Sequence, residues 1–427
     1  MKKKYRIILY TSIFLLCVVA SIILVVKKSN SVYEEESKPK VVKHKSMLSM
    51  NLEQTAGSGD YKTVTQSSWP TEGYKFNAEL SKCENGSTLS WDDTKKAVIV
   101  SGNLSDKCYV YFDIYQPTLA EYIKSQYTGT QGENNIYYHD SDLANGAGDN
   151  SYRYAGANPN NFVCFGTIES PCPIDNLYRI IGVFGENYHG ANGKQLVKLI
   201  KYDYMTTDEL GTDGDYSQTY KEWGMDSTYK GTYGDGERIG VYYWNYKATG
   251  SATNTWSTSL LNKTNLNTNF INNIGTTWAN KIATVTWKVG GNTWANIGTK
   301  TSSVAYTNEI TNPVTTNTTD NATTYSAKIG LMYVSDYGFA ASPDAWTLTM
   351  SSYNNTTATN NNWMYMGLYE WTISRNAGPS NGAFYVNGGG FVNYMYSGFG
   401  VRASFNLESS VSYVSGSGSM SDPIVIN

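Results

Sequence analysis

Asn176-Leu177-Tyr178-Arg179-Ile180-Ile181-Gly182-Val183-Phe184 and Gln195-Leu196-Val197-Lys198-Leu199-Ile200-Lys201-Tyr202-Asp203-Tyr204 decide the fold class. The first is an apolar run rich in β-branched and aromatic residues and reads as a strand. The second reads as its antiparallel partner, reached through a loop that carries His189-Gly190. Downstream, Trp256, Leu260 and Leu261, then Leu266, Phe270, Ile271 and Ile274 recur at i, i+4 steps, the pattern of one or two short helices with one apolar face. Ala283 to Val289 reads as a strand turned by Gly290-Gly291. Residues 291–324 are Asn/Thr-rich and of low complexity, which predicts a long surface loop. Lys328 to Ser335 and Tyr369 to Arg375 follow as strands. Ala383 to Asn387 and Phe391 to Met395 flank Gly388-Gly389-Gly390 as a hairpin. Gly400 to Leu407 closes the core, and Asp422 to Ile426 suits an edge strand. Residues 131–427 therefore form one large α+β domain with a mixed, mainly antiparallel sheet.

Upstream lies a smaller β module, residues 67–115. Tyr74 to Leu80 alternates, Asn85-Gly86 marks a tight turn, and Lys95 to Val100 and Lys107 to Phe112 read as strands. A module of this size has a thin core and gains from a covalent staple. Residues 116–130 are a polar connector with room for one helical turn around Leu119 to Ile123. Residues 29–66 are polar and carry Gly and Ser near their end. They read as a tether, with Met47-Leu48 able to add a brief strand.

Residues 1–28 are different. Met1-Lys2-Lys3-Lys4-Tyr5-Arg6 precedes Ile7 to Val26, a run of 20 residues without charge, closed by Lys27 and Lys28. At about 1.5 Å per residue that run spans the hydrocarbon layer of a bilayer. Four basic residues before it and two after it keep the N-terminus cytoplasmic and place the bulk of the chain outside the cell membrane. The run ends in Leu24-Val25-Val26, without the small residues of a cleavage site, which favours a single-pass signal anchor over a cleaved signal peptide.

Charge and cysteine usage agree with that compartment. All 427 residues carry a formal net charge of −3, and the first 30 hold six of the 33 basic residues and no acid. The remainder therefore sets 27 basic against 36 acidic residues, a net of −9, which excludes a basic nucleic-acid-binding face. Apart from Cys17 in the apolar run, the cysteines are Cys83, Cys108, Cys164 and Cys172. An even number outside the anchor points to disulfides, paired locally as Cys83 with Cys108 and Cys164 with Cys172. Chain entropy gives such staples about 3.5 and about 2.6 kcal/mol.

The order of blocks NLYRIIGVF (176–184), VKLIK (197–201), AKIGLMYVSDYGFA (327–340), EWTISR (370–375), GVRASF (400–405) and DPIVI (422–426) resembles a family of uncharacterised surface proteins of Gram-positive gut bacteria. These share a C-terminal domain of unknown function. WPTEGYKFNAELSKCENGS (69–87) and SDKCYVYFD (105–113) resemble a module that recurs in front of that domain. The resemblance implies surface display and no known activity. More distantly, E-W-x-x-S-R and G-V-R-x-S-F resemble the C-type-lectin-like fold of formylglycine-generating enzymes. That resemblance implies short antiparallel strands, few helices and long loops. The oxidising members of that fold use a cysteine pair near the C-terminal end, and here no cysteine follows Cys172, so the oxidase chemistry does not carry over.

The chain has 36 tyrosines and 11 tryptophans, nine of the latter in the large domain. Trp256 and Trp371 sit in periodic segments and read as core. Trp244, Trp294 and Trp363 lie among Asn, Tyr, Gly and Thr, and are the candidate exposed contacts for a glycan or a surface protein. Asp208, Asp213 and Asp215 lie in a Gly-bearing loop and offer oxygen ligands of the kind Ca²⁺ takes, without the spacing of an EF-hand. His139-Asp140-Ser141-Asp142 is a second such stretch. In both, a solvated acidic loop is the plainer account, and no other cofactor is implied. Arg179, Arg375 and Arg402, each inside a strand, are expected to pair with Asp or Glu. No catalytic motif is present: there is no H-E-x-x-H, G-x-S-x-G, Walker A or dinucleotide fingerprint. Asp336, Asp344 and Glu370 are the carboxylates that a hydrolase reading would use. The sequence thus reads as an anchored extracellular binding or adhesion protein, with an envelope hydrolase or a structural spacer as the alternatives.

Overall fold

The computed structural model describes residues 48–427 except 66–67, 71–72, 104, 215–238, 246–253, 315–322, 355–358 and 378–381. The apolar run Ile7 to Val26 lies outside the described residues, as do Asp215 and most of the tether. Among the described residues no helix is long and apolar enough to cross a membrane. Two compact units divide between Gln116 and Pro117.

The first unit is built on strands β1 (Leu48–Glu53), β2 (Tyr61–Val64), β3 (Tyr74–Phe76), β4 (Lys82–Cys83), β5 (Thr88–Asp92), β6 (Ala97–Ser101) and β7 (Cys108–Ile114). β7 is the spine: β1 runs parallel to it, and β3 and β4 pair with it antiparallel. The module therefore starts earlier than residue 67, because β1 and β2 come from the stretch expected to be tether. Leu48, Met50 and Leu52 alternate inward, and Met50 and Leu52 join Val110 and Phe112 in the core. Glu53 fixes the end of β1, its carboxylate accepting from the Ile114 and Gly59 amides. Cys83 and Cys108 are register partners and are joined by a disulfide.

The second unit opens with helix α1 (Leu119–Ser125), started by a Thr118–Glu121 capping box. Leu119, Ala120 and Ile123 enter the large core, so the expected connector is part of this unit. Strands β8 (Ile136–His139), β9 (Ser151–Tyr154), β10 (Phe162–Cys164), β11 (Leu177–Phe184) and β12 (Leu196–Lys201) follow. With β13 (Ile329–Gly330) and β14 (Ser404–Asn406) they form a seven-stranded antiparallel sheet, ordered β13-β14-β12-β11-β9-β8 with β10 also on β11. β11 and β12 pair from Tyr178 opposite Lys201 to Phe184 opposite Leu196, with a bulge between Ile180 and Gly182. Gly182 is required there, since a Cβ would stand 2.3 Å from the Tyr152 carbonyl oxygen. Every residue of both strands is buried, including Arg179, Lys198 and Lys201. A second disulfide, Cys164–Cys172, closes the loop after β10.

The helical run Leu261–Phe270 continues into Ile271–Ala279 and buries Leu261, Leu266 and Phe270; Leu261 and Leu266 are five residues apart, the wider step of a π-helical turn rather than the expected i, i+4. A three-stranded antiparallel sheet holds Glu370–Arg375, Ala383–Val386 and Val392–Met395. Two expectations fail. Residues 291–324 carry short helices at Trp294–Ile297 and Ser302–Tyr306, and Ile297, Ala305, Tyr306 and Ile310 are buried. The strand expected over Lys328 to Ser335 keeps only Ile329–Gly330, then becomes the helix Val334–Ala340. The first arises because Asn and Thr here satisfy backbone groups inside the fold: Asn292 donates to the Asn308 carbonyl, and Asn296 closes a capping box with Thr293. The second arises because Asp336 and Glu309 accept from the Tyr333, Val334 and Ser335 amides and so start a helix there. The architecture is thus mixed helix and sheet, with several antiparallel sheets and no closed barrel.

Candidate functional site

The large unit carries two chemically distinct regions: a buried ionic cluster and an open tyrosine cluster. The ionic cluster lies against β9 and β12. Arg153 Nη2 donates to Asp149 Oδ2 at 2.8 Å, and Tyr306 donates its hydroxyl to the same oxygen at 2.6 Å. His189 Nε2 stands 3.3 Å from Asp149 Oδ2 and 3.0 Å from the Tyr306 hydroxyl. Lys198 Nζ donates to Asp336 Oδ2, and Glu309 accepts from the Val334 and Ser335 amides and the Ser374 hydroxyl. Burial works against ionisation of Asp149, but Arg153 and His189 outweigh it and hold the carboxyl well below its usual range. Burial raises Glu309.

Both described imidazoles in this region are buried bases. His139 accepts from the Ala147 amide at Nδ1, so its proton sits on Nε2, which lies between Phe339 and Trp346 with no hydrogen-bond partner among the described residues. Burial lowers His139, with Arg153 adding to the effect. Burial also lowers His189 against the pull of Asp149. Depressed bases bind fewer protons folded than unfolded. Their contribution is therefore intact above the unfolded value of about 6.5 and drains away as pH falls below it. With both imidazoles titrating, the limiting slope is about 2.7 kcal/mol per pH unit. The melting temperature of the large unit is expected to fall steadily from pH 7 to pH 5, and His139→Leu to flatten that fall. A melting temperature constant over this interval would contradict the assignment.

The carboxylates of a hydrolase reading are not free. Asp336 is held by Lys198, and Glu370 accepts from Arg402 Nε and Nη2 at 2.8 and 2.9 Å. Both acids are buried and neutralised, without the water access that acid–base catalysis needs. Asp344 is exposed at the start of a single helical turn. Arg179 departs from expectation. It donates to Asn161 Oδ1 and the Pro159 carbonyl rather than to a carboxylate, and its guanidinium lies 4.3 Å from the Phe162 ring centroid and 4.7 Å from that of Trp363. Aromatic faces and neutral oxygens replace the acid, and burial pushes the guanidinium down to about 9. Arg375 donates to the Gly290 carbonyl.

The predicted tryptophan contacts separate. Trp244 and Trp363 are each 2% exposed and are corrected from contacts to core. Trp244 donates to the Thr372 carbonyl and packs on Trp256, and Trp363 donates to the Tyr154 carbonyl. Trp294 is half-buried against Tyr394. Of the expected Ca²⁺ ligands, Asp208 lies in the helical turn Thr207–Leu210, whose capping box is Thr206 with Glu209, and Asp213 is exposed beyond it. Asp215 lies outside the described residues. Among the described residues no three His, Cys, Asp or Glu side chains gather as a metal site.

The open cluster is formed by Tyr127, Tyr138 and Tyr152, all half-buried. Tyr138 and Tyr152 are cross-strand partners at the sheet edge, stacked with centroids 4.6 Å apart. Tyr127, just past α1, meets Tyr152 edge-on at 5.6 Å, and Lys124 Nζ lies 5.7 Å from the Tyr152 centroid. The Tyr138 hydroxyl donates to Asn150 Oδ1, while Gln131 occupies both backbone groups of Tyr138. That bonding blocks the edge from further strand pairing and leaves the half-open side chains as its outer face. Burial raises the phenols of Tyr127 and Tyr152, and the nearby Asp140 charge adds to it, so both stay neutral donors. Asp140 itself accepts from the Asp142 and Leu143 amides, a turn-forming role. The sequence signal for this cluster was two short aromatic runs, residues 136–139 and 151–154, around a turn rich in Asp, Asn and Gly.

No family model matches the chain, no curated protein matches it in sequence, and no solved structure matches it.

Proposed function

We propose that the chain is a membrane-anchored extracellular binding protein of a Gram-positive bacterium, and that its large unit presents Tyr127, Tyr138 and Tyr152 to a glycan. The observation that carries this reading is three half-open tyrosines in mutual contact, rimmed by Lys124, Asn150 and Asp140. Pyranose rings have apolar C–H faces and a hydroxyl rim, which match aromatic faces bordered by amide, ammonium and carboxylate groups. Trp294 with Tyr394 is a second aromatic contact of the same kind. Anchorage through Ile7 to Val26 supports surface display, and two disulfides fit an oxidising compartment. Short antiparallel strands with long connections are compatible with a C-type-lectin-like scaffold and with the surface-protein family named above. The net negative charge argues against nucleic acid as ligand.

A glycan array probed with the full chain in detergent tests the proposal. Binding to mucin-type or wall-derived glycans is expected. Tyr138→Ala should weaken it about tenfold, the loss typical of an aromatic contact at an interface. An array without hits, or equal binding by Tyr138→Ala, would overturn it.

A further inference from the structure

Lys198 and Asp336 do more than neutralise each other. We propose that they form a covalent amide, an intramolecular cross-link that ties the central strand β12 to the helix Val334–Ala340.

The geometry is that of two reactants already in contact. Lys198 Nζ lies 2.5 Å from Asp336 Oδ2, and both side chains are 1% exposed. The ammonium lies 4.3 Å from the Tyr333 ring centroid and 5.2 Å from that of Trp287, an aromatic shell from which water is excluded. Both residues are held from behind. Lys198 sits between β11 and β14, opposite Gly182 and Asn406, while the Tyr333 amide donates to Asp336 Oδ2 at 2.9 Å. Contact of this kind replaces a bimolecular encounter with a preoriented one.

The atoms balance without a co-reactant. A proton passes from Nζ to Oδ2 along the existing hydrogen bond, giving an amine and a carboxylic acid. The nitrogen lone pair attacks Cγ and the C–N bond forms. A second proton moves from nitrogen to Oδ2, the Cγ–Oδ2 bond breaks, and water leaves. Oδ1 remains as the amide oxygen. During the attack its negative charge faces Arg153 Nη1, which lies 3.8 Å away; neither atom has a hydrogen-bond partner among the described residues.

The electrostatics of the cluster favour the product. Arg153 and Lys198 face Asp149 and Asp336, and burial raises Glu309 toward its neutral form. Condensation removes one cation and one anion from a buried site and leaves Arg153 with Asp149 as a matched pair. Two desolvated charges become one neutral amide.

Mass spectrometry of the full chain, reduced and denatured, decides the matter. The expected mass lies below that of the reduced chain by one water. Trypsin should release a branched peptide joining residues 195–201 to 329–375, with no cleavage after Lys198. Asp336→Asn should give the same branched peptide, by loss of ammonia, whereas Lys198→Arg should give separate peptides. A wild-type chain at full mass with both peptides unlinked would overturn the proposal, and so would a cross-link that persists in Lys198→Arg. The wild-type measurement needs no variant to fold.

Discussion

Glu370→Ala is expected to destabilise the large unit by about 3–5 kcal/mol, the cost of breaking a buried ion pair from one side. Arg402 and Glu370 make a two-pronged contact, each 2% exposed or less. Arg402 Nη2 also donates to the Met364 carbonyl at 2.7 Å, and Nη1 has no partner among the described residues. Without Glu370 the guanidinium stays charged, because arginine does not lose its proton in a protein. The reverse change is milder. Arg402→Met leaves a carboxyl that burial already raises, so it takes up a proton and becomes neutral. The double variant Glu370→Leu, Arg402→Met should recover much of the loss, because well-packed apolar groups replace buried ion pairs at little cost. Urea denaturation followed by hydrogen exchange in the large unit measures all three. Equal losses in the two single variants would contradict the charge argument and leave only packing.

Loss of the Cys83–Cys108 bridge is expected to unfold the first unit while the second stays folded. The cysteines are 25 residues apart, for which chain entropy gives about 3.5 kcal/mol. Among the described residues the unit's core cluster has four buried apolar residues, Met50, Leu52, Val110 and Phe112, so that sum is a large share of its stability. The eight-residue Cys164–Cys172 loop is worth less, about 2.6 kcal/mol, and belongs to a unit with a far larger core. Hydrogen exchange after replacement of Cys83 and Cys108 by serine should show lost protection in β7 and retained protection in β11 and β12. Retained protection in β7 would show that the small core suffices alone.

The strands most clearly written in the sequence were those that are continuously apolar. Leu177–Phe184 and Leu196–Lys201 announce themselves because both faces are buried, and the hairpin around Gly388 to Gly390 because its turn chemistry is explicit. Polar composition misled elsewhere. Asn254, Asn262 and Asn265 are each buried and donate to backbone carbonyls. Their own Asn, Tyr, Gly and Thr neighbours made Trp244 and Trp363 look exposed. An asparagine that satisfies a buried carbonyl and one that meets water are identical in a single sequence. β1 was legible only as a brief strand at Met47-Leu48, its charged and Gly-bearing surroundings masking the period of two that Leu48, Met50 and Leu52 carry. The tyrosine cluster was legible only in its two aromatic runs: Tyr127 reaches Tyr138 and Tyr152 only through tertiary packing of α1's end against the sheet edge.

The most direct test of ligand binding at that edge is tyrosine iodination of the full chain with and without a glycan retained on the array, mapped by mass spectrometry. Protection of Tyr127, Tyr138 and Tyr152 on saturation, with other reactive tyrosines unchanged, is the expected result. Bound glycan that leaves these three fully reactive, or protects tyrosines only elsewhere, would contradict the assignment of the site.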